Sequence, residues 1–117
     1  MTQSKPNIYQ ASAAQLGALV PLFDAYRVFY RQPSDYGLAR AFLGERLAQN
    51  DTVIFVAERG GKSVGFTQLF PSFSSVSARR LWILNDLFVV PEARRGGVAR
   101  ALLGRAKEHA VETQAKG

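Results

Sequence analysis

The spacing of apolar positions changes several times along the chain, and each change marks an element. Ile8-Tyr9-Gln10-Ala11 reads as a short strand. Ser12 follows, with Gln15 three residues on, a capping-box pattern that opens a helix. Leu16, Leu19, Val20, Phe23 and Tyr26 then recur at helical spacing; Pro21, inside that run, predicts a kink or a restart. Gln32-Pro33-Ser34-Asp35 breaks the helix, and Ser34 or Asp35 can cap a second one whose stripe is Leu38, Phe42, Leu43 and Leu47. After a turn at Asn50-Asp51, Thr52 to Ala57 is rich in β-branched and aromatic residues and predicts a buried strand. Arg59-Gly60-Gly61-Lys62 predicts a hairpin turn, Ser63 to Phe70 its return strand, and Pro71 to Ser77 a serine-rich loop. Arg80 to Val90 predicts a long strand, ended by Pro91 and Glu92. Val98, Leu102, Leu103, Ala106 and Ala110 form one face of a last helix, with Arg100, Lys107 and Glu108 off it. The order is strand, helix, helix, three strands, helix. It predicts an α/β (α+β) fold: a mixed sheet, antiparallel at its centre, flanked by helices.

Composition narrows the classes. The chain has 117 residues, 47% hydrophobic and 21% charged, which suits one domain with its own core and excludes a disordered chain. With no cysteine there is no disulfide framework, thiolate zinc site or cysteine nucleophile, and a reducing compartment fits. The single histidine, His109, reads as a solvated residue of the last helix; a metal site would rest on carboxylates, and none is expected. No apolar run approaches the about 18 residues that cross a bilayer, and Met1 to Gln10 holds no apolar signal core. A soluble, cytoplasmic protein without a membrane partner is the expectation. A net charge of +6 draws anions: nucleic acid, acidic lipid or a phosphate-rich small molecule.

The distribution of the arginines points to the last of these. From Leu84 to Leu103 a strand runs into a short loop, Arg94-Arg95-Gly96-Gly97, and a helix starts at once. The first N–H groups of a helix have no intrahelical partner and sit at the positive end of its dipole. Small residues at 96, 97 and 99 let an anion approach that backbone, and Arg94, Arg95 and Arg100 add positive charge, so the loop suits a phosphate or pyrophosphate. A tight turn whose glycines serve only the connection is the plainer alternative. Two other phosphate loops fail on spacing. Gly61-Lys62-Ser63 would need glycine where Val56 stands, and the G-x-G-x-x-G dinucleotide pattern is not supplied by Gly96-Gly97 with Ala99.

The stretch Arg94-Arg95-Gly96-Gly97-Val98-Ala99 resembles the R/Q-x-x-G-x-G/A signature of the GNAT superfamily of N-acetyltransferases. The preceding Leu87-Phe88-Val89-Val90-Pro91-Glu92 is similar as well, an apolar strand, a proline, then the arginine. The resemblance implies acetyl-CoA as cosubstrate and an acetyl group passed to a primary amine, either a small amine or a protein amine. It implies that the backbone of the loop Arg94, Arg95, Gly96, Gly97, Val98, Ala99 and Arg100 holds the pyrophosphate, and that Leu87, Phe88 and Val89 pair with the pantetheine arm as a further strand would. Acetyl transfer needs a base or water to deprotonate the amine, a donor to the thioester carbonyl such as a backbone N–H near Leu87 or Phe88, and an acid for the thiolate. In the family that acid is often a tyrosine beyond the last helix.

Strand alternation puts Leu81, Ile83, Asn85, Leu87 and Val89 on one face, and Asp86 on the other with Arg80, Trp82, Leu84 and Phe88. Some family members carry glutamate where Asn85 stands. Asn85 is no base, though it can orient a water or an amine, and Asp86 becomes the candidate base; a structural carboxylate paired with Arg80 is the alternative. Tyr26, Tyr30, Asp35 and Tyr36 cluster between the first two helices, where aromatic rings and a carboxylate suit a cationic acceptor. For any single one of them ordinary helix packing with a solvated tip is the plainer alternative, and for Asp35 a helix cap. The family's domain continues past this helix, so residues 1–117 are expected to form a single domain short of its C-terminal part. An open strand edge then predicts a homodimer. Two other classes remain beside the enzyme: a non-catalytic acyl-CoA or phosphate-ligand binding module, and a basic nucleic-acid-binding domain. Against the latter, the arginines do not follow one helix at groove-reading spacing and no interleaved aromatic motif is present.

Overall fold

The computed structural model describes residues 5–117; of the polar stretch Met1–Gln10, residues 1–4 lie outside the described residues. Four strands form one sheet in the order β1 (Asn7–Gln10), β2 (Val53–Arg59), β3 (Lys62–Ser74) and β4 (Arg79–Val89), antiparallel throughout. Helices α1 (Leu16–Phe29) and α2 (Tyr36–Gln49) cover one face and α3 (Val98–Glu112) the other. Alternation along β2 divides the core. Ile54 and Val56 pack with Leu19, Phe23, Leu43, Phe66 and Phe88; Phe55 and Ala57 pack with Leu69, Val89, Val98, Leu102 and Ala106.

The chain enters α1 through the expected capping box. Gln15 Oε1 accepts from the Ser12 N–H at 2.6 Å, and Ser12 Oγ accepts from the Ala14 N–H at 3.3 Å. The restart expected at Pro21 does not occur, because buried Leu19, Val20, Leu22 and Phe23 hold α1 continuous through the proline. Asp24, buried on α1, accepts from Ser34 Oγ and the Asp35 N–H, both at 2.7 Å; Asp35 in turn accepts from the Leu38 N–H at 3.0 Å as the cap of α2.

Three further expectations are corrected. The serine-rich segment expected as a loop from Pro71 to Ser77 is strand in its first part: β3 runs through Pro71 to Ser74, with Pro71 opposite Trp82, and only residues 75–77 turn. Pairing with β2 ends at Val53 and Leu69, so β3 is an edge on that side and tolerates a missing N–H. The alternation expected along β4 breaks at a bulge. Gln68 lies opposite Asp86 and Leu69 opposite Leu84, which leaves Asn85 as the extra residue. Trp82 therefore packs with the α3 layer, while Phe88 packs with the α1 layer. His109 is not a solvated residue. Its ring lies 4.8 Å from the Trp82 ring and 5.5 Å from Phe55, between α3 and the sheet. Beside β4, the Lys116 N–H donates to the Arg80 carbonyl and the Trp82 N–H to the Gly117 carbonyl, each at 2.7 Å, so that edge is occupied at this end.

Candidate active site

The loop between β4 and α3 is built for open backbone amides. After Val89 a 3-10 turn, Pro91–Ala93, redirects the chain. Arg95 (φ 69°) and Gly97 (φ 81°) are both left-handed, a conformation that costs a non-glycine residue such as Arg95 about 1 kcal/mol. Gly97 caps α3 with no side chain, and the first intrahelical bond runs from the Ala101 N–H to the Gly97 carbonyl at 3.0 Å. The amides of Val98, Ala99 and Arg100 precede it and have no intrahelical acceptor. Unpartnered N–H groups grouped at a turn of this kind suit an anion.

A cavity of about 390 Å³ opens in front of this turn. Leu87, Phe88 and Val89 of β4 form one wall, the loop and first turn of α3 a second, and Phe29 and Tyr30 at the end of α1 a third. The two stretches singled out in the sequence thus face one space, except Gly96, which faces a neighbouring cavity and whose carbonyl accepts from Arg59 Nη2 at 2.7 Å. Arg94, Arg95 and Arg100 line the cavity, and no acidic residue is among its described lining residues. Arg94 itself is folded back: its Nε donates to the Val89 carbonyl at 2.9 Å, and its guanidinium lies over the rings of Phe29 (5.2 Å) and Phe88 (5.8 Å). It is wall, joining α1 to β4.

Asp86 is buried behind Phe88, on the α1 side of the bulge. Three donors converge on its carboxylate: Tyr26 Oη at 2.7 Å, Gln68 Nε2 at 2.6 Å and Asn85 Nδ2 at 3.1 Å. Gln68 is held in turn by Thr52 Oγ1 at 3.1 Å. The Arg80 partnership considered from the sequence is absent; that guanidinium lies over Trp82 at 5.6 Å and Phe73 at 6.0 Å. Burial, and then the hydrogen bond to Asp86 and its charge, push the Tyr26 phenol well above its ordinary range, so Tyr26 holds its proton.

Of the four acceptor candidates, the structure brings together Tyr26 and Tyr30, whose rings meet edge-on at 5.2 Å. Tyr30 is 61% exposed and lines the cavity mouth. Asp35 is engaged as the α2 cap, and neither it nor exposed Tyr36 lines this cavity. Sequence reasoning missed Phe29, Gln68 and Gly65. A polar residue inside a buried strand was a readable signal for Gln68. Glycine within a strand was one for Gly65, where a Cβ would stand 2.9 Å from the Phe88 carbonyl and 3.1 Å from Val98. No group of three metal-ligating side chains occurs among the described residues, and no helix among them is long and apolar enough to cross a membrane.

The arrangement joins the first turn of α3, with its unpartnered amides, to a cavity along the end of β4, and known proteins carry the same fold. An uncharacterized N-acetyltransferase of Bacillus subtilis, YhfO, is 53% identical over 94% of this chain and 74% of its own length. A crystal structure of a probable acetyltransferase superposes with a TM-score of 0.90 at 46% identity, covering 94% of this chain and 74% of that one. The fold alone is shared, at 17% identity and a TM-score of 0.76, with a "predicted acetyltransferase with acetyl-CoA" from Clostridium acetobutylicum, over 94% of this chain and 76% of that one. The model of the acetyltransferase (GNAT) family matches residues 19–117, and the chain belongs to that family.

Proposed function

We propose that this acetyltransferase uses acetyl-CoA and passes the acetyl group to a primary amine. One observation carries the reading: the open amides at 98–100 and the backbone of Leu87–Val89 face the same cavity. The Clostridium neighbour, solved with acetyl-CoA, supports it. Acetyl-CoA, when bound, supplies the acetyl group as an activated thioester.

The residues of this chain divide the remaining work. The amides of residues 95–100 hold the diphosphate at the positive end of α3, with Arg95 and Arg100 adding charge. The backbone groups of Leu87–Val89 that neither the ladder with β3 nor Arg94 engages bond the pantetheine amides. An N–H at Leu87 or Phe88 donates to the thioester oxygen as negative charge develops there. Asn85, pushed out by the bulge, orients the amine or the water that takes its proton. Asp86 is a positioning group, since its carboxylate is committed to Tyr26, Gln68 and Asn85 and fixes the strand at the bulge. Tyr30 and Phe29 give the acceptor an aromatic wall.

Calorimetry with acetyl-CoA, followed by thiol release with a panel of primary amines, tests the reading. Binding and amine-dependent thiol release are expected. Binding with no transfer to any amine would leave a binding module; no binding would remove the site.

A further inference from the structure

The backbone groups on the free edge of β4 change parity along the strand. Near its start the Arg80 carbonyl accepts from the Lys116 N–H and the Trp82 N–H donates to the Gly117 carbonyl, so even-numbered residues turn outward, away from β3. Beyond its end the Val90 N–H donates to the Val64 carbonyl, on the β3 side, while the Val89 carbonyl accepts from Arg94 Nε on the other. There the odd-numbered residues, Leu87 and Val89, face outward and Phe88 faces β3. The bulge at Asn85 makes the exchange. Without it, alternation would run on from Trp82 through Leu84 to Asp86 and Phe88, and the groups of Leu87 and Val89 would be spent on β3. Of the two N–H groups named for the thioester oxygen, that of Leu87 is the outward one.

A bulge disrupts the ladder locally, and a buried carbonyl there needs a donor from elsewhere. The Asp86 carbonyl takes it from Thr67 Oγ1 at 2.7 Å, and the Asp86 carboxylate accepts from Gln68 Nε2 at 2.6 Å. Thr67 and Gln68 are consecutive on β3 and point to opposite faces, so Asp86 is gripped from both sides of the sheet. Thr67 is 0% exposed. Valine would fill that site without burying a hydroxyl, so the hydroxyl is there for its bond. Resting on the acetyl-CoA reading above, we infer that Thr67 is a positioning residue for acetyl transfer: its hydroxyl pins the bulge, and the bulge keeps the backbone of Leu87 and Val89 turned out for the ligand. Thr67 does not line the cavity; it acts through Asp86.

The test compares the wild type with Thr67→Val, which keeps the shape and removes the hydroxyl, and Thr67→Ser, which keeps the hydroxyl. Thermal melts check folding, and Thr67→Ala, also without the hydroxyl, stands in should Thr67→Val not fold. Amide hydrogen exchange without ligand reads the bulge directly, and calorimetry with acetyl-CoA reads its consequence. In the wild type the Phe88 and Val90 amides should exchange about tenfold or more slower than those of Leu87 and Val89. Thr67→Val should shrink that contrast to within about threefold and weaken acetyl-CoA about tenfold, while Thr67→Ser keeps both near the wild type. A wild type without the contrast, a contrast that survives in Thr67→Val, or a Thr67→Ser protein as impaired as Thr67→Val would overturn the inference. Loss of the contrast with acetyl-CoA affinity unchanged would overturn it too, by separating the bulge from the ligand. Failure of the wild type to bind acetyl-CoA would instead strike at the acetyl-CoA reading.

Discussion

The Tyr26 hydroxyl donates to Asp86 at 2.7 Å, and this one bond ties α1 to β4 beside the bulge. Asp86 is only 7% exposed, so losing a donor leaves a charged oxygen short of partners away from water. Tyr26→Phe should lower stability by about 1–2 kcal/mol, read from denaturant midpoints. The phenol's affinity for its proton is raised in the folded state above the ordinary value of 10.0. The unfolded chain thus ionises first, and the stability from this bond, present below pH 10.0, drains away as pH rises above it. That alkaline loss should shrink in Tyr26→Phe; an identical alkaline slope in both proteins would contradict the pairing.

Asp86→Asn separates holding from proton transfer. The new amide keeps an oxygen toward Gln68 Nε2 and Asn85 Nδ2 and turns its N–H to the Tyr26 hydroxyl, so each bond loses the charge of the carboxylate. Stability should fall by about 1–3 kcal/mol, and the KM for acetyl-CoA should rise as Leu87–Val89 shift. The acid limb of the rate profile should survive, since water at Asn85 takes the proton. Loss of that limb with KM unchanged would make Asp86 the base.

Gly97 tests the phosphate turn with a built-in control. Its φ of 81° makes any side chain strained, although a Cβ there meets nothing within 4 Å. Gly97→Ala should therefore cost about 1 kcal/mol of stability and change acetyl-CoA affinity only a few-fold. Gly97→Glu should cost the same stability but lower the affinity by about a hundredfold, because a carboxylate faces the diphosphate. Equal affinities of the two variants would take the anion away from this turn.

What could be read from the chain was local. The capping box at Ser12–Gln15, the cap at Asp35 and the arginine-glycine loop each sit within a few residues of their partners, so pattern alone exposed them. What escaped depends on which strands meet and in what register. A bulge at Asn85 exists only relative to β3, and it reverses the face of Trp82. Asp86 finds Gln68 from β3 and Tyr26 from α1, and neither pairing leaves a mark on the residues around Asp86. Pro71 reads as a loop until β2 is seen to end at Val53, opposite Leu69. Asp35 carries two readings in the sequence, acceptor contact and helix cap; the structure engages it as the cap, and Asp24, eleven positions earlier, holds its backbone N–H, a pairing the pattern does not mark.

His109 gives the fold an acid-sensitive point far from the loop. Its ring is packed against Trp82 and Phe55, with Nε2 buried and lacking a hydrogen-bond partner. Burial, then Arg105, lower its proton affinity; Glu112 opposes them, and Arg80 adds to the lowering. The unfolded chain thus takes up a proton more readily than the folded one. Stability should be fully present above the ordinary value of 6.5 and should decline as pH falls below it toward the folded-state value. His109→Leu, which fills much of the same space without a titrating group, should flatten that decline between pH 7 and pH 5, about the range where histidine titrates. Trp82 should report the event, because protonation at a ring 4.8 Å away alters its surroundings and strains the bond from Nε1 to Thr113 Oγ1 at 2.8 Å. Melting temperatures and Trp82 fluorescence followed across that range in both proteins decide the matter: parallel curves would mean that carboxylates elsewhere set the acid limit.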